Sequence, residues 1–442
     1  MGGASLAFPS LLIATTCLAM AHRLPLSEYE QTIFLGMLPA IGSLPNNPPP
    51  RDPRRNYTER DPLVIVPGMG CSQLHAQLHK SDHSPLFICP KETGSSWIDL
   101  WVSLIYFLPD RERCWAENFV TIFNATARTY SSISGLIIEP VDYGGIEGLS
   151  SLCPAIKKLS AYFGPFFTFL QKAGYQPGFD LLGAPFDFRL AGPETVLSNG
   201  QYERLKSLVE KTYRNTGRRV HLLGHSLGAP YISHFLAMFV DQAWKDKHIA
   251  SMISLGGPFG GASMALPYSV SEMNWRAIGM SRHLFAKALH SFACLPWMVP
   301  HPAIFGDAVL VETLARNYTA AAAGQLLRDT GHNKQAMMLE QARQFFFPER
   351  PPQATAHIFY GYNVSTPQTY RYEDMTSFDS PPTITRMEDG DGVVSLASLL
   401  ACTRWNQTAA HPVVMHPLDG MLHADMIWKP ALWDAILDII AR

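Results

Sequence analysis

The 442-residue chain has few charged side chains and almost no net charge. Charged residues make up 16% of it, well below the quarter that is usual in globular domains, and the formal net charge is −2. A net charge near zero gives no reason to expect nucleic-acid binding, so we expect no nucleic-acid partner. The chain is also 47% hydrophobic and 11% aromatic. This composition is typical of a large core and fits a protein that contacts apolar material.

Cysteine motifs for metal binding are missing as well. The seven cysteines form no Cys-x-x-Cys pair and show no histidine spacing typical of zinc sites, so we expect no metal and no cofactor. Cys17 lies in the N-terminal apolar stretch. The remaining six are expected to form disulfides outside the cytosol, and they are Cys71, Cys89, Cys114, Cys153, Cys294 and Cys402.

Long apolar runs are absent after the N-terminus. No later segment holds 18 uncharged apolar residues, which predicts no further membrane span. Residues 1–21 contain an apolar stretch from Leu6 to Met20 and end in Ala-Met-Ala, which predicts a secretory signal peptide, with a short membrane anchor as the alternative. Five Asn-x-Ser/Thr sequons also favour the secretory pathway, with an extracellular or a lysosomal or vacuolar destination. The sequon asparagines are Asn56, Asn124, Asn317, Asn363 and Asn406.

Residues 217–240 contain the pattern around which the rest of the chain is organised. The apolar run 220–223 predicts a strand, and the residues after 228 have the periodicity of a helix. Between them lies Gly-His-Ser-Leu-Gly, with Ser226 at its centre. Glycines stand at the two positions where a Cβ would collide in so sharp a turn. This pattern is the nucleophile elbow of serine hydrolases.

Strand and helix patterns alternate on both sides of the elbow. This alternation predicts an α/β-hydrolase with a mainly parallel central sheet and helices on both faces. The predicted strands are 63–66, 120–123, 136–138, 180–185, 220–223, 252–255, 357–362 and 413–415, and the predicted helices are 159–173, 202–216 and 430–440.

The predicted domain organisation has a core in two parts. A proline-rich lead-in, 22–60, precedes the first part, 61–258, and the second part covers 354–442. Between the two parts, 259–353 interrupts the alternation with an irregular, methionine-rich stretch followed by a helical one at 318–345. Such an interruption suits a cap or lid over the site, and a second domain packed elsewhere is the alternative.

An apolar, aromatic run lies between Cys89 and Cys114. A disulfide between these two cysteines would close a loop of about 25 residues and stabilise the fold by roughly 3.5 kcal/mol on the chain-entropy model. Burial would also explain the run. Its place beside the first strand, bracketed by cysteines, favours a membrane-binding insertion at 86–115. The predicted lipid contacts are Trp97, Trp101 and Ile105.

A serine nucleophile needs a base that an acid holds in place. In this fold the chain order is serine, acid, histidine. Asp391 lies between two glycines after a late strand, and Asp389 is the alternative acid. His423 lies after the last predicted strand and before the final helix, as the base must. Ser226, Asp391 and His423 are therefore the predicted triad.

Other histidines are weaker candidates for the base. His411 and His416 are better explained as surface or core residues, and the elbow directs His225 away from the serine hydroxyl. The oxyanion hole is predicted to use two backbone amides. One belongs to Leu227, and the other to Met69, in the glycine-rich loop that follows the first strand.

These motifs resemble the lecithin:cholesterol acyltransferase family, which includes lysosomal phospholipase/transacylases and plant and protist relatives. The resemblance covers most of 61–442 and is carried by Val-Pro-Gly at 66–68, Trp-Ile-Asp-Leu at 97–100, Ala-Pro-Phe-Asp-Phe-Arg at 184–189, Gly-His-Ser-Leu-Gly at 224–228, Ala-Trp-Lys-Asp-Lys at 243–247, Ser-Leu-Gly-Gly-Pro-Phe-Gly-Gly at 254–261, Pro-Trp-Met at 296–298, Gly-Asp-Gly-Val-Val at 390–394 and Gly-Met-Leu-His at 420–423.

The resemblance implies site roles that match those predicted above. It assigns the triad to Ser226, Asp391 and His423, and it implies a membrane-binding subdomain closed by a Cys89–Cys114 disulfide, with Trp97 facing lipid. Asn124 and Asn317 fall near sites that are glycosylated in relatives.

The chain also departs from the family pattern. The family's second disulfide would join Cys402 to a cysteine near position 358, where this chain has Ile358. Cys402 is therefore expected to be free or paired anew, with Cys294 as the first candidate. Met69 differs from the residues that the family uses at this oxyanion position, so the acyl acceptor is left open.

The resemblance implies a lipid acyltransferase or phospholipase. Such an enzyme takes an acyl chain from a phosphatidylcholine-type phospholipid and passes it to a sterol, another lipid alcohol or water. Its implied partners are phospholipid membranes or lipoprotein-like particles, with a protein activator as a further candidate. One alternative is a phospholipase A with water as its sole acceptor. A non-enzymatic lipid-binding protein on a hydrolase scaffold would be expected to lack part of the triad.

Overall fold

The computed structural model describes residues 59–81, 88–108, 110–272, 281–345, 349–373, 378 and 381–441. The predicted signal peptide, nearly all of the predicted lead-in and the Asn56 sequon lie outside these residues. No helix within these ranges is long and apolar enough to cross a membrane.

The strands and helices are numbered in chain order. The strands are β1 Leu63–Val66, β2 Leu74–Leu78, β3 Ile98–Trp101, β4 Thr121–Asn124, β5 Thr129–Ser132, β6 Leu136–Pro140, β7 Leu181–Gly183, β8 Val220–His225, β9 Ile249–Leu255, β10 Val309–Thr313, β11 Asn317–Thr319, β12 Ala356–Tyr362, β13 Val364–Tyr372, β14 Thr383–Gly390 and β15 Val413–Asp419. The helices are α1 Arg111–Phe119, α2 Glu147–Ser150, α3 Gly164–Lys172, α4 Gln201–Thr216, α5 Gly228–His234, α6 Gln242–His248, α7 Ala265–Val270, α8 Arg282–Leu289, α9 Cys294–Met298, α10 Pro302–Phe305, α11 Ala323–Asp329, α12 Asn333–Ala342, α13 Leu396–Leu399 and α14 Pro430–Ile440.

Six strands form the central sheet, in the order β15-β12-β9-β8-β1-β7, and every pair is parallel. Strand β1 is apolar at every position, because both of its faces are buried: Val64 and Val66 belong to the core on one face of the sheet, and Leu63 and Ile65 to the core on the other. Helices α4 and α5 contribute to the first core and helices α3 and α14 to the second. A sheet covered on both faces requires such strands. The predicted α/β-hydrolase fold is confirmed.

The parallel sheet collects several loops at one edge. Strands β1, β8, β9, β12 and β15 all run in the same direction, so the loops that follow them start from the same end of the sheet. The predicted oxyanion loop, residues 67–70, follows β1, Ser226 follows β8, and His423 follows β15. The bridge between Val364 and Asp391 brings the predicted acid to the residues just after β12. The fold thereby assembles the site from distant parts of the chain.

Two predicted strands belong to smaller sheets outside the central one, which sequence periodicity alone does not predict. The predicted strands at 120–123 and 136–138 exist as β4 and β6, but they pair in a β4-β5 hairpin and a β3-β2-β6 sheet outside the central one. The helix predicted from 159 begins at Gly164, with a proline in its first turn. The predicted cap segment contributes β10 and β11 to a four-stranded sheet with β13 and β14. Its stretch 318–345 contains two helices, α11 and α12.

The insertion after β2 is closed by a disulfide between Cys89 and Cys114, which lie 25 residues apart. The structure thus contains the pair that the family resemblance implies. The proposed pairing of Cys294 with Cys402 is wrong, because both thiols are free and fully buried in different elements. Cys71 and Cys153 are also free.

Candidate active site

The elbow is a strained turn between β8 and α5. Ser226 has a φ of +53°, a value that non-glycine residues rarely adopt. A Cβ at position 224 would lie 2.5 Å from the carbonyl carbon of Gly228, and one at position 228 would lie 2.4 Å from the carbonyl oxygen of Val66. Only glycine fits at either position, because both contacts are to backbone. The turn thus presents Ser226 at the edge of the sheet.

Asp391 and His423 are in direct contact. The distance between His423 Nδ1 and Asp391 Oδ2 is 2.7 Å, and Asp391 is fully buried. The other carboxylate oxygen accepts hydrogen bonds from the amides of Val393 (3.0 Å) and Val394 (2.7 Å). These charge-assisted bonds fix the orientation of the carboxylate, which in turn fixes the tautomer of His423. The acid and base of the predicted triad are therefore brought together.

The alternative acid and bases are engaged elsewhere. Asp389 is exposed and accepts a hydrogen bond from the amide of Asn363. His416 stacks on Phe359, with ring centroids 4.2 Å apart, and His411 lies 3.5 Å from the side-chain amide of Gln242. The structure therefore favours Asp391 and His423 on geometry.

His225 lies beneath the site in a buried network that sequence analysis missed. Its Nδ1 accepts a hydrogen bond from the hydroxyl of Tyr162 (2.8 Å), and its Nε2 donates to the carbonyl oxygen of His423 (3.3 Å). Burial lowers the pKa of His225 to about 3, so the ring is neutral and can both accept and donate. Tyr162 is 63 residues from His225 in the chain, and no sequence pattern identifies it.

The loop after β1 passes beside the serine. A Cβ at position 68 would lie 3.0 Å from the Cβ of Ser226. The carbonyl of Gly68 accepts a hydrogen bond from the amide of Cys71 (3.2 Å), and Gly70 has a φ of +75°, as a type II turn requires. Within the described residues, the amides of Met69 and Leu227 donate to no other group. Both predicted oxyanion donors are therefore available next to the elbow.

The insertion exposes two of the three predicted lipid contacts. Trp97 is 41% exposed and Ile105 is 51% exposed, and Leu108, which was not predicted, is 39% exposed. The Trp97 ring stacks on His75, with centroids 3.9 Å apart. Trp101 differs from these residues, because it is only partly exposed and its indole N–H donates to the carbonyl of Gly70 (2.7 Å). Trp101 is thus directed towards the oxyanion loop.

The described sequons are all accessible. A glycosylation site must be exposed, and so is the asparagine of each described sequon. These asparagines are Asn124, Asn317, Asn363 and Asn406.

Comparison with protein-family models identifies the family. A model described as "Lecithin:cholesterol acyltransferase" matches residues 97–343 and 312–430. The chain belongs to the lecithin:cholesterol acyltransferase family. The matched ranges contain Ser226, Asp391, His423 and Tyr162, whereas Met69 precedes them.

The relatives to which this family member is similar include proteins described by two different names. The human "Lysosomal phospholipase A and acyltransferase" is 31% identical over 378 residues, which cover 85% of this chain and 89% of that protein. The rat protein of the same name is 32% identical over 368 residues, covering 83% and 87%. The mouse "Phosphatidylcholine-sterol acyltransferase" is 29% identical over 386 residues, covering 87% and 86%. Identities this close do not separate one acyl acceptor from another.

Proposed function

We propose that this chain is a lipid acyltransferase/phospholipase that works through an acyl-enzyme on Ser226. The observation that carries the proposal is the His423–Asp391 hydrogen bond of 2.7 Å, at the sheet edge where the elbow presents its serine. Family membership supports the class of substrate, a phosphatidylcholine-type phospholipid. It also supports enzymatic function over a non-enzymatic lipid-binding role.

In the first half-reaction, His423 Nε2 takes the proton of the Ser226 hydroxyl as its oxygen attacks the ester carbonyl of the phospholipid. Asp391 accepts the Nδ1–H of His423 and stabilises the imidazolium that forms. The amides of Leu227 and Met69 donate to the developing oxyanion. The tetrahedral intermediate then collapses. His423 returns the proton to the leaving lysophospholipid oxygen, and the acyl chain stays on the serine.

In the second half-reaction an acceptor hydroxyl removes the acyl chain. His423 takes the proton of a sterol, another lipid alcohol or water as its oxygen attacks the acyl-enzyme. The same amides stabilise the second oxyanion. As this intermediate collapses, the bond between the acyl carbon and Ser226 Oγ breaks, and His423 returns the proton to the serine oxygen. The product is a sterol or alcohol ester when an alcohol attacks, and a free fatty acid when water does.

Access to the substrate is proposed to come from the insertion at 86–115. Exposed Trp97, Ile105 and Leu108 provide an apolar surface for phospholipid membranes or lipoprotein-like particles. The Cys89–Cys114 disulfide and the exposed sequons support a place in the secretory pathway, whether extracellular, lysosomal or vacuolar. A protein activator is compatible with this arrangement.

The test is to incubate the wild type and Ser226→Ala with phosphatidylcholine vesicles, with and without cholesterol, and to identify the products. We expect Ser226→Ala to lower turnover by roughly 10⁴-fold or more. Ser233→Ala is the matched control, because it removes a buried hydroxyl of α5 that has no hydrogen-bond partner among the described residues. Equal turnover by Ser226→Ala would contradict the serine mechanism. Fatty acid without sterol ester from the wild type would favour the phospholipase A alternative.

A further inference from the structure

We propose that Trp101 and Tyr162 are positioning residues that hold the oxyanion loop, residues 67–70, on either side of Met69. The indole N–H of Trp101 donates to the carbonyl of Gly70 at 2.7 Å. The amide of Gly68 donates to the hydroxyl oxygen of Tyr162 at 3.1 Å. This inference rests on the proposed role of the Met69 amide as an oxyanion donor.

The Trp101 hydrogen bond reaches the Met69 amide through two peptide planes. The carbonyl of Gly70 and the amide of Cys71 belong to one peptide unit, and this amide donates to the carbonyl of Gly68 at 3.2 Å. The carbonyl of Gly68 belongs to the same peptide unit as the amide of Met69, and this is the second peptide unit of the series. Because each trans peptide is planar, with its C=O and N–H pointing in opposite directions, fixing one carbonyl also fixes the amide attached to it. Trp101 therefore determines the direction in which the Met69 N–H points.

The same arrangement strengthens the Met69 donor. From the indole N–H, hydrogen bonds run through the Gly70–Cys71 peptide to the Gly68–Met69 peptide, all aligned in one direction. Hydrogen bonds in such a chain polarise one another, which makes the last N–H a better donor. Within the described residues, that last N–H donates to no protein group, so it is available for the substrate oxyanion.

Tyr162 holds the other end of the loop and connects it to the base. Its hydroxyl accepts the Gly68 amide and donates to His225 Nδ1 at 2.8 Å. Nε2 of His225 in turn donates to the carbonyl of His423 at 3.3 Å. Tyr162 and His225 are both buried, so these bonds are shielded from water. One network thus holds both the oxyanion loop and the backbone of the base.

Packing fixes Trp101 in the position that this role requires. Its ring stacks on Phe119, with centroids 5.2 Å apart, and lies 6.1 Å from the ring of Trp115. Trp101 ends β3, whereas exposed Trp97 immediately precedes that strand. The insertion therefore has an outer face for lipid and an inner residue that contacts the oxyanion loop.

The experiment compares Trp101→Phe with Trp115→Phe in the full chain, acting on a soluble short-chain ester. Trp101→Phe removes the indole N–H and keeps an aromatic ring. Trp115→Phe perturbs the same aromatic cluster, in which Trp115 is 1% exposed and stacks on Phe285. We expect Trp101→Phe to lower kcat by about 10- to 100-fold, with KM changed less than about twofold. Inhibition by a short alkyl boronic acid, which forms a tetrahedral anion on the serine, should weaken about tenfold or more.

Tyr162→Phe supplies a second variant, with Tyr202→Phe as its control. Tyr202 is also fully buried, but its hydroxyl bonds to the carbonyl of Tyr231 (3.0 Å) instead of the oxyanion loop. We expect the same loss of kcat and weaker boronate inhibition for Tyr162→Phe. Each control should stay within about threefold of wild-type kcat, even where its melting temperature falls.

The outcomes separate this inference from the proposed function. If Trp101→Phe and Tyr162→Phe keep wild-type kcat and boronate affinity, or lose no more than their controls, the positioning role is overturned and the serine mechanism stands. If Ser226→Ala retains turnover, the proposed function itself fails. A loss by Trp101→Phe that occurs on vesicles but not on the soluble ester would also overturn the role, and would make Trp101 a lipid contact.

Discussion

At the scale of single residues, burial favours one of the two neighbouring aspartates as the proposed acid. Asp391 is fully buried, contacts His423 and accepts two backbone amides, whereas Asp389 is exposed at the end of β14. Along a strand, side chains at i and i+2 share a face, so periodicity alone does not separate these residues. Strand β14 ends at Gly390, so Asp391 no longer follows the alternation that Asp389 obeys, and its backbone instead bridges Val364.

Asp391→Asn is expected to lower kcat by about 10⁴-fold, because an amide favours the wrong tautomer of His423 and does not stabilise its charged form. Asp389→Asn is the matched control and should keep near wild-type turnover. The measurement is initial-rate kinetics on a soluble short-chain ester, with circular dichroism to check folding. A severe loss in Asp389→Asn, together with an active Asp391→Asn, would reverse the assignment.

At the scale of elements, the insertion is the part of the chain that periodicity describes least well. The run 97–108 is apolar except at Asp99 and Ser103, yet Trp97 and Ile105 are exposed while Trp101 is directed inward. A short strand followed by a 3₁₀ turn, Leu104–Phe107, places these side chains on different sides. Composition therefore predicted the insertion. Only the path of its backbone decides which of its side chains are exposed and which are directed into the protein.

Trp97→Ala is expected to weaken binding to phosphatidylcholine vesicles by roughly tenfold or more, because a large apolar side chain no longer enters the membrane interface. Hydrolysis of a soluble short-chain ester should be unchanged. Met337→Ala, at a 45% exposed position on α12, is the control for loss of an exposed apolar side chain elsewhere. Vesicle flotation and ester assays measure the two effects. A parallel loss in both assays would make Trp97 a structural residue.

The disulfide is expected to stabilise the insertion through its 25-residue loop. Replacing Cys89 and Cys114 together by alanine should lower the free energy of unfolding by about 3.5 kcal/mol on the chain-entropy model. Urea unfolding with and without dithiothreitol measures this contribution. The reductant should shift the midpoint of the wild type and leave that of the double variant unchanged. A remaining shift in the double variant would reveal a second disulfide, and would restore Cys294–Cys402 as a candidate.

At the scale of the whole molecule, buried histidines make stability depend on pH. His225 and His234 are both buried, and burial lowers the pKa of each to about 3, against about 6.5 in the unfolded chain. Between these values the unfolded state binds protons that the folded state does not. The free energy of unfolding therefore falls as the pH falls below 6.5, by up to about 1.4 kcal/mol per pH unit for each histidine.

We expect the melting temperature to decrease steadily from pH 6.5 to pH 5, a window above the ordinary range of carboxyl titration. His234→Asn should make this decrease shallower, because one buried histidine no longer contributes. His283→Asn removes a 74% exposed histidine that pairs with Glu272, and it should not make the decrease shallower, because this pair favours the protonated ring. Thermal unfolding followed by circular dichroism provides the measurement. A slope that is identical in His234→Asn and the wild type would show that His234 is protonated in the folded state.

The sequence by itself determined the hydrolase fold and predicted the chain order of the proposed triad. Both depend on local patterns: buried parallel strands are rich in apolar residues, as in β1, and the elbow requires glycine at 224 and 228. The final helix, α14, was predicted from 430 to 440 and spans Pro430–Ile440, because proline suits its first turn. Local chemistry was sufficient for these features.

Only the tertiary structure decided which distant groups meet. Tyr162 contacts both Gly68 and His225, and Trp101 contacts Gly70, across separations of 94, 63 and 31 residues. No periodicity encodes such contacts, because they depend on how loops from different strands converge at one edge of the sheet. For the same reason residue spacing could not decide the cysteine pairing. Among the described residues the four cysteines outside the Cys89–Cys114 disulfide are free, with Cys294 in α9, Cys402 in a 3₁₀ helix, and Cys71 and Cys153 in loops.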